Sequence, residues 1–141
     1  MLIKAAINGG RTKGQHPSIP VTPDQQALAV VECLAAGASA IHLHVRSESG
    51  DESLSPEDVA ATLRVVRLAA PGAQTVLSTG AWIVPDASQR VKLVAGWTEL
   101  PDFASVKFNE AGAVELARLL VSRGVGIEAG LTPRQSLLTV A

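Results

Sequence analysis

Short β-rich apolar runs alternate with segments of helical periodicity along the whole chain, and Pro and Gly mark the breaks between them. The first run, Leu2 to Asn8, predicts an opening strand, followed by a polar loop rich in Gly, Lys and Pro through Pro20. Thr22-Pro23-Asp24-Gln25 reads as a helix start, with Thr as N-cap, Pro at the first helical position and Gln closing a capping box. Ala27, Val30, Val31 and Leu34 form one apolar stripe on that helix, and Gly37 supplies its stop. Ala40 to Val45 predicts a second strand. Ser55-Pro56-Glu57-Asp58 then opens a second helix by the same chemistry, with Val59, Leu63 and Val66 on one face and Pro71-Gly72 as its break. A third strand, Gln74 to Ser78, leads into Ser78-Thr79-Gly80. The pattern continues with a helix from Ala87 to Trp97, a strand from Phe103 to Phe108, a helix from Ala113 to Arg123 and a strand from Val125 to Ala129. Thr132-Pro133-Arg134-Gln135 repeats the helix-start pattern of Thr22 to Gln25.

Five βα units in succession imply parallel strands joined by right-handed crossovers. Two architectures fit. A flavodoxin-like five-stranded parallel sheet would be complete at this length. A (β/α)8 TIM barrel, at about 250 residues, would have only its first five units here. The likeness of the units and the short final helix fit the barrel, but the pattern alone leaves both open. No low-complexity stretch or linker divides the chain, so residues 1–141 are expected to form a single domain.

Composition narrows the function classes. With 47% hydrophobic and 18% charged residues, the 141-residue chain can bury a core and is not expected to be disordered. A net charge of −1 gives no electrostatic case for nucleic acid or an anionic membrane surface. No apolar stretch reaches membrane-spanning length, and the N-terminus lacks the pattern of a signal peptide. The single cysteine, Cys33, falls inside a predicted helix and has no partner for an internal disulfide, which fits a reducing cytoplasm.

The chemistry collects at the predicted strand ends. Residues i and i+2 of a strand share a face, so His42 and His44 project side by side while Ile41, Leu43 and Val45 face the other way. Two imidazoles on one rigid strand make half of a divalent metal site. Asn8 ends the first strand, His44 and Arg46 the second, Ser78 and Thr79 the third, and Lys107 and Asn109 the fourth. In either architecture these ends converge on one rim, where ligands bind. Glu128 sits in an otherwise apolar strand and needs a partner. An ion pair with Lys107, a third place on a metal and a general-base role are the three alternatives. Ser78-Thr79-Gly80 could present a hydroxyl and backbone N–H groups to a carboxylate or carbonyl oxygen. Asn8-Gly9-Gly10-Arg11 lacks both the G-x-G-x-x-G spacing and an immediate helix, so a dinucleotide fingerprint is rejected. His16, before Pro17, reads as solvated, and Trp82 and Trp97 as packing or lid residues.

Asn8-Gly9-Gly10, Pro17 to Pro23, Ala35-Ala36-Gly37-Ala38 and Ile41-His42-Leu43-His44-Val45-Arg46 together resemble the β-keto acid cleavage enzymes. Ser78-Thr79-Gly80, Asp102 to Val106 and Gly124 to Leu131 fit the same pattern in the same order. The resemblance implies a (β/α)8 barrel holding one divalent metal, usually zinc. It also implies condensation of a β-keto acid with acetyl-CoA, releasing acetoacetate and a new CoA thioester. By this resemblance His42 and His44 match the metal-binding histidines and Ser78 a serine at the substrate's carboxylate end. Glu128 falls where the family has an acidic residue near the site and is the catalytic candidate; Thr79, Asn8 and Arg46 complete the candidate substrate-binding set. Arg11 stands where a member of the family that acts in lysine fermentation has a glutamate for its substrate's amino group, so the resemblance implies an uncharged or anionic substrate here. The family's third metal ligand and an Asp-Arg pair for proton abstraction lie on later strands, so this chain resembles the first half of the barrel. Two outcomes are then expected: a metal-dependent enzyme, or a non-catalytic metal-binding half-barrel. Either would self-associate or pair with a completing chain through its open edge.

Overall fold

Five strands and four helices alternate strictly in the computed structural model, which describes residues 1–131. The helix start expected at 132–135 lies outside the described residues. The elements are β1 (Lys4–Ala6), α1 (Pro23–Ala35), β2 (Ala40–Leu43), α2 (Pro56–Ala69), β3 (Gln74–Ser78), α3 (Ala87–Ala95), β4 (Phe103–Lys107), α4 (Ala113–Ser122) and β5 (Gly126–Gly130). All strands pair in parallel, in the order β1-β2-β3-β4-β5. That order decides between the two architectures. A flavodoxin-like sheet reverses direction after its first strands, in the order 2-1-3-4-5. A sheet that adds each strand beside the last, by right-handed crossovers, keeps all its helices on one face, as the first units of a (β/α)8 barrel do.

One core follows from this arrangement. Ile41, Leu43, Val45, Leu77, Ala104 and Val106 on the sheet pack with Val30, Val59, Leu63, Val66, Leu116 and Leu120 from the helices. Trp97, 1% exposed, belongs to the core, and its indole N–H donates to the Leu54 carbonyl at 3.0 Å. Residues of the other strand parity, among them Lys4, Ala6, His42, Ser78, Ser105, Lys107 and Glu128, stand on the opposite, helix-free face.

Local sequence explains the helix starts. Thr22 Oγ1 accepts from Gln25 N at 3.3 Å, and Gln25 Oε1 accepts from Thr22 N at 3.3 Å and Val21 N at 3.0 Å. This is the expected capping box. Ser55 Oγ accepts from Asp58 N at 3.2 Å, and Asp58 in turn accepts from the Ser55 and Ser53 hydroxyls. Asp86 caps α3, and Gly112 enters α4 with φ +74°, where an added Cβ would stand 2.8 Å from that of Ala87. Neither cap was anticipated by the pattern, because neither belongs to an S/T-P-x-x run.

The first two strands are shorter than the apolar pattern predicts. Beyond Ile7 N, which donates to His42 O at 3.1 Å, a side chain replaces the next rung: Asn8 Oδ1 accepts from His44 N at 2.9 Å. Asn8 Nδ2 donates to His44 O at 2.9 Å. The ladder therefore continues through Asn8 without regular strand geometry.

Thr22→Ala removes the acceptor for an orphan N–H of α1 and is expected to destabilise the protein by about 1 kcal/mol. A lowered urea midpoint at unchanged m-value checks this.

Candidate functional site

The rim at the carboxyl ends of β1 to β4 brings His42, His44, Glu52, Ser78, Trp82 and Lys107 together. His42 lies in β2 and His44 just past its end, both held by the burial of Ile41, Leu43 and Val45 on the other side of the backbone. The two Nε2 atoms face each other at 3.2 Å, with the rings inclined at 61°. At that separation two lone pairs repel, so a proton or a cation must lie between them. Two nitrogens bound to zinc at 2.0–2.1 Å with a tetrahedral angle stand about 3.3 Å apart. The donor pair therefore fits a divalent ion of this size. Among the described residues, no group of three or more His, Cys, Asp or Glu side chains is placed to hold a metal.

His44 is fixed at every polar atom. Its backbone is bracketed by the Asn8 amide, and its carbonyl also accepts from Gln26 Nε2 at 3.3 Å. Its Nδ1 contacts Glu52 Oε1, with both side chains nearly buried. Glu52 arrives from a hairpin that the sequence reading did not pick out. Ser47 N donates to Asp51 O at 2.9 Å, Ser53 N to Val45 O at 3.0 Å, and Gly50 turns the chain at φ +90°. The Ser49-Gly50-Asp51 turn signal directly after the histidine strand is what could have found it.

His42 is less tethered. Its Nδ1 is buried without a hydrogen-bond partner among the described residues. Burial, and next the neighbouring His44, lower its pKa from 6.5 to about 4; Glu128 opposes this and Lys4 adds to it. His42 is thus a neutral imidazole at neutral pH, the form that coordinates metals.

The remaining expected residues fall into different settings. Glu128 does not pair with Lys107. It pairs with Lys4 across the concave face that all three residues share, linking β5 to β1, while Lys107 stands level with Gly130. Lys107 instead lies over Trp82, its Nζ 4.3 Å from the ring centroid. Thr79 Oγ1 donates to Ser105 O at 2.7 Å, whereas the Ser78 hydroxyl has no hydrogen-bond partner among the described residues. Arg46, 4% exposed, donates to the carbonyls of Gly9 and Arg11, at 2.5 Å and 2.9 Å, and so ties the loop after β1 to the hairpin. Arg11 and Asn8 line a cavity of about 390 Å³ beside Gly9, Gly10 and Ile19. Asn109 and His16 are exposed, and His16 Nδ1 accepts from Ser18 N at 3.2 Å.

Imidazoles and hydroxyls gather here at the strand ends of a sequentially ordered parallel sheet, the end at which (β/α)8 barrels carry their sites. A family model for beta-keto acid cleavage enzymes matches residues 1–132, and the chain belongs to that family. It is 36% identical over 80 residues to the 3-oxoadipate:acetyl-CoA acetyltransferase of Cupriavidus necator, an alignment covering 56% of this chain and 28% of that protein. It is 36% identical over 81 residues to the 3-keto-5-aminohexanoate cleavage enzyme of Acetoanaerobium sticklandii, covering 57% and 30%. The alignments thus span under a third of the length of these curated relatives. The fold superposes on the apo structure of ObcA with a TM-score of 0.62 at 20% identity, over 80% of this chain and 30% of that one. The complex of ObcA with oxaloacetate gives 0.60, over 80% and 31%.

The depressed pKa of His42 has a definite sign in stability. Between pH 6.5 and about 4 the unfolded chain binds a proton that the folded chain does not, so stability falls as pH drops through that window and levels off below it. His42→Gln is expected to flatten this decline relative to the parent protein, read as the difference in urea midpoint against pH.

Proposed function

We propose that this chain carries the metal-holding and substrate-carboxylate-binding face of an acetyl-CoA-dependent β-keto acid cleavage site. The observation that carries the reading is the convergence of His42 Nε2 and His44 Nε2 at 3.2 Å on a strand-end rim, in a member of this family. A divalent ion held by these two nitrogens, zinc in the first instance, would supply Lewis-acid polarisation of the keto oxygen.

The chain's own residues do the rest. His42 stays neutral, so its lone pair is available without competition from protons. Asn8 holds the backbone of His44, and with it the spacing of the two imidazoles. Ser78, with its hydroxyl uncommitted beside the pair, donates to the carboxylate of the β-keto acid, while Thr79 fixes the turn through Ser105. Arg46 keeps the Gly9–Arg11 loop closed against the rim, beside the substrate. Glu128, oriented by Lys4 on the concave face that His42 shares, is the proton acceptor in this reading. Arg11 at the mouth of the 390 Å³ cavity favours a β-keto acid with a distal carboxylate, such as 3-oxoadipate, over one with a distal amine.

A second reading is favoured by the absence of a third His, Cys, Asp or Glu ligand among the described residues. In it the chain is a metal-binding half-barrel whose β1 and β5 edges associate with a second copy or a completing chain.

Equilibrium dialysis against zinc is expected to give about one ion per chain, lost in both His42→Ala and His44→Ala. The zinc-loaded chain, given acetyl-CoA and 3-oxoadipate, is expected to form acetoacetate and a new CoA thioester detectable by mass spectrometry. Ser78→Ala is expected to raise KM for the keto acid roughly tenfold, the loss of one hydrogen bond to a charged group. Zinc binding without product identifies the half-barrel reading, and no zinc binding refutes both.

A further inference from the structure

One carboxylate at the rim serves two donors at once. Glu52 Oε1 contacts His44 Nδ1, and Glu52 Oε2 accepts from Trp82 Nε1 at 2.9 Å. The Trp82 ring lies over His44, centroids 6.1 Å apart and planes inclined by 28°, with Lys107 on it as a cation. Gly80 makes this possible, because a Cβ there would stand 2.0 Å from the indole. Trp82 is otherwise half exposed, and Glu52 is its one hydrogen-bond partner among the described residues.

We infer that Glu52 is a positioning residue that acts in two directions. Through Oε1 it keeps the His44 proton on Nδ1, so that the Nε2 lone pair faces His42. Through Oε2 it lays Trp82 across the site as an aromatic wall. The second arm stands on geometry alone, while the consequence of the first for metal affinity rests on the metal reading proposed above. An ionised carboxylate accepts from both donors, and no other side chain of this length does so. A glutamine offers one carbonyl oxygen, and its amide group cannot accept the second proton. It must therefore release Trp82, or turn its amide to His44 and drive the imidazole proton onto the nitrogen that faces His42. Carboxylates behind metal-bound histidines commonly set both tautomer and affinity.

The test uses the full chain with 15N-labelled histidine, as parent protein, Glu52→Gln, Glu52→Ala and Trp82→Phe. The parent is expected to show a protonated Nδ1 on His44 and, in the difference from Trp82→Phe, which leaves only the buried Trp97, a Trp82 component of tryptophan fluorescence that acrylamide quenches more weakly than a free indole. Glu52→Gln loses at least one of the two signals and Glu52→Ala loses both. Zinc affinity, titrated against a chelating dye, falls at least tenfold in Glu52→Ala. Trp82→Phe retains the His44 Nδ1 proton. Retention of both signals in Glu52→Gln, or loss of the His44 proton in Trp82→Phe, overturns the inference. If the parent chain fails to bind zinc, the metal reading falls by itself. The imidazole and quenching signals then still decide the role of Glu52, and near-isosteric Glu52→Gln carries the test if Glu52→Ala does not fold.

Discussion

The rim depends on the burial of Ile41, Leu43 and Val45 against the helices. Each is at most 5% exposed, and burying such a side chain contributes roughly 1.5–3 kcal/mol. The three together rival the whole net stability of a domain this size, on the order of 5–15 kcal/mol. A one-residue slip of β2 would expose all three and bury His42 and His44 in their place. Burial of the apolar parity therefore forces the imidazole parity outward. Asn8 sharpens the placement by binding both backbone groups of His44, so the second histidine is as fixed as a strand residue although β2 has ended.

From that constraint the electrostatics follow. Two basic groups pressed to 3.2 Å on a half-buried face cannot both be charged, and burial with the neighbouring imidazole keeps His42 neutral. The carboxylates are deployed asymmetrically: Glu52 is bound directly to His44, whereas Glu128 is drawn off to Lys4. The result is a neutral His42 facing an imidazole that a carboxylate supports from behind, a placement of nitrogen donors that suits a borderline-soft cation.

Much of this was legible in the sequence. The H-x-H run between apolar residues gives the facing of both imidazoles, because strand alternation is a local property. The Thr22 and Ser55 helix starts were legible for the same reason, since a cap and its partner lie within four residues. Strand order was not legible: five βα units fit two sheets, and only the observed pairing distinguishes them. Glu52 was hidden because its importance depends on a hairpin folding back over a strand end. The partner of Glu128 was left open among three alternatives: Lys107 shares its face but stands level with Gly130 and lies over Trp82, and it is Lys4 on the first strand that meets Glu128. Trp82 read only as a packing or lid residue, and its place over His44 was not legible, since that contact depends on the bare backbone of Gly80.

The central claim is that the Nε2 atoms of His42 and His44 form one side of a divalent metal site. Anomalous diffraction at the zinc edge, from crystals of the chain grown with zinc, addresses it most directly. The account predicts a single dominant peak lying between the two nitrogens, about 2.0–2.1 Å from each. A dominant peak elsewhere on the chain, with the His42–His44 pair left bare, would contradict it.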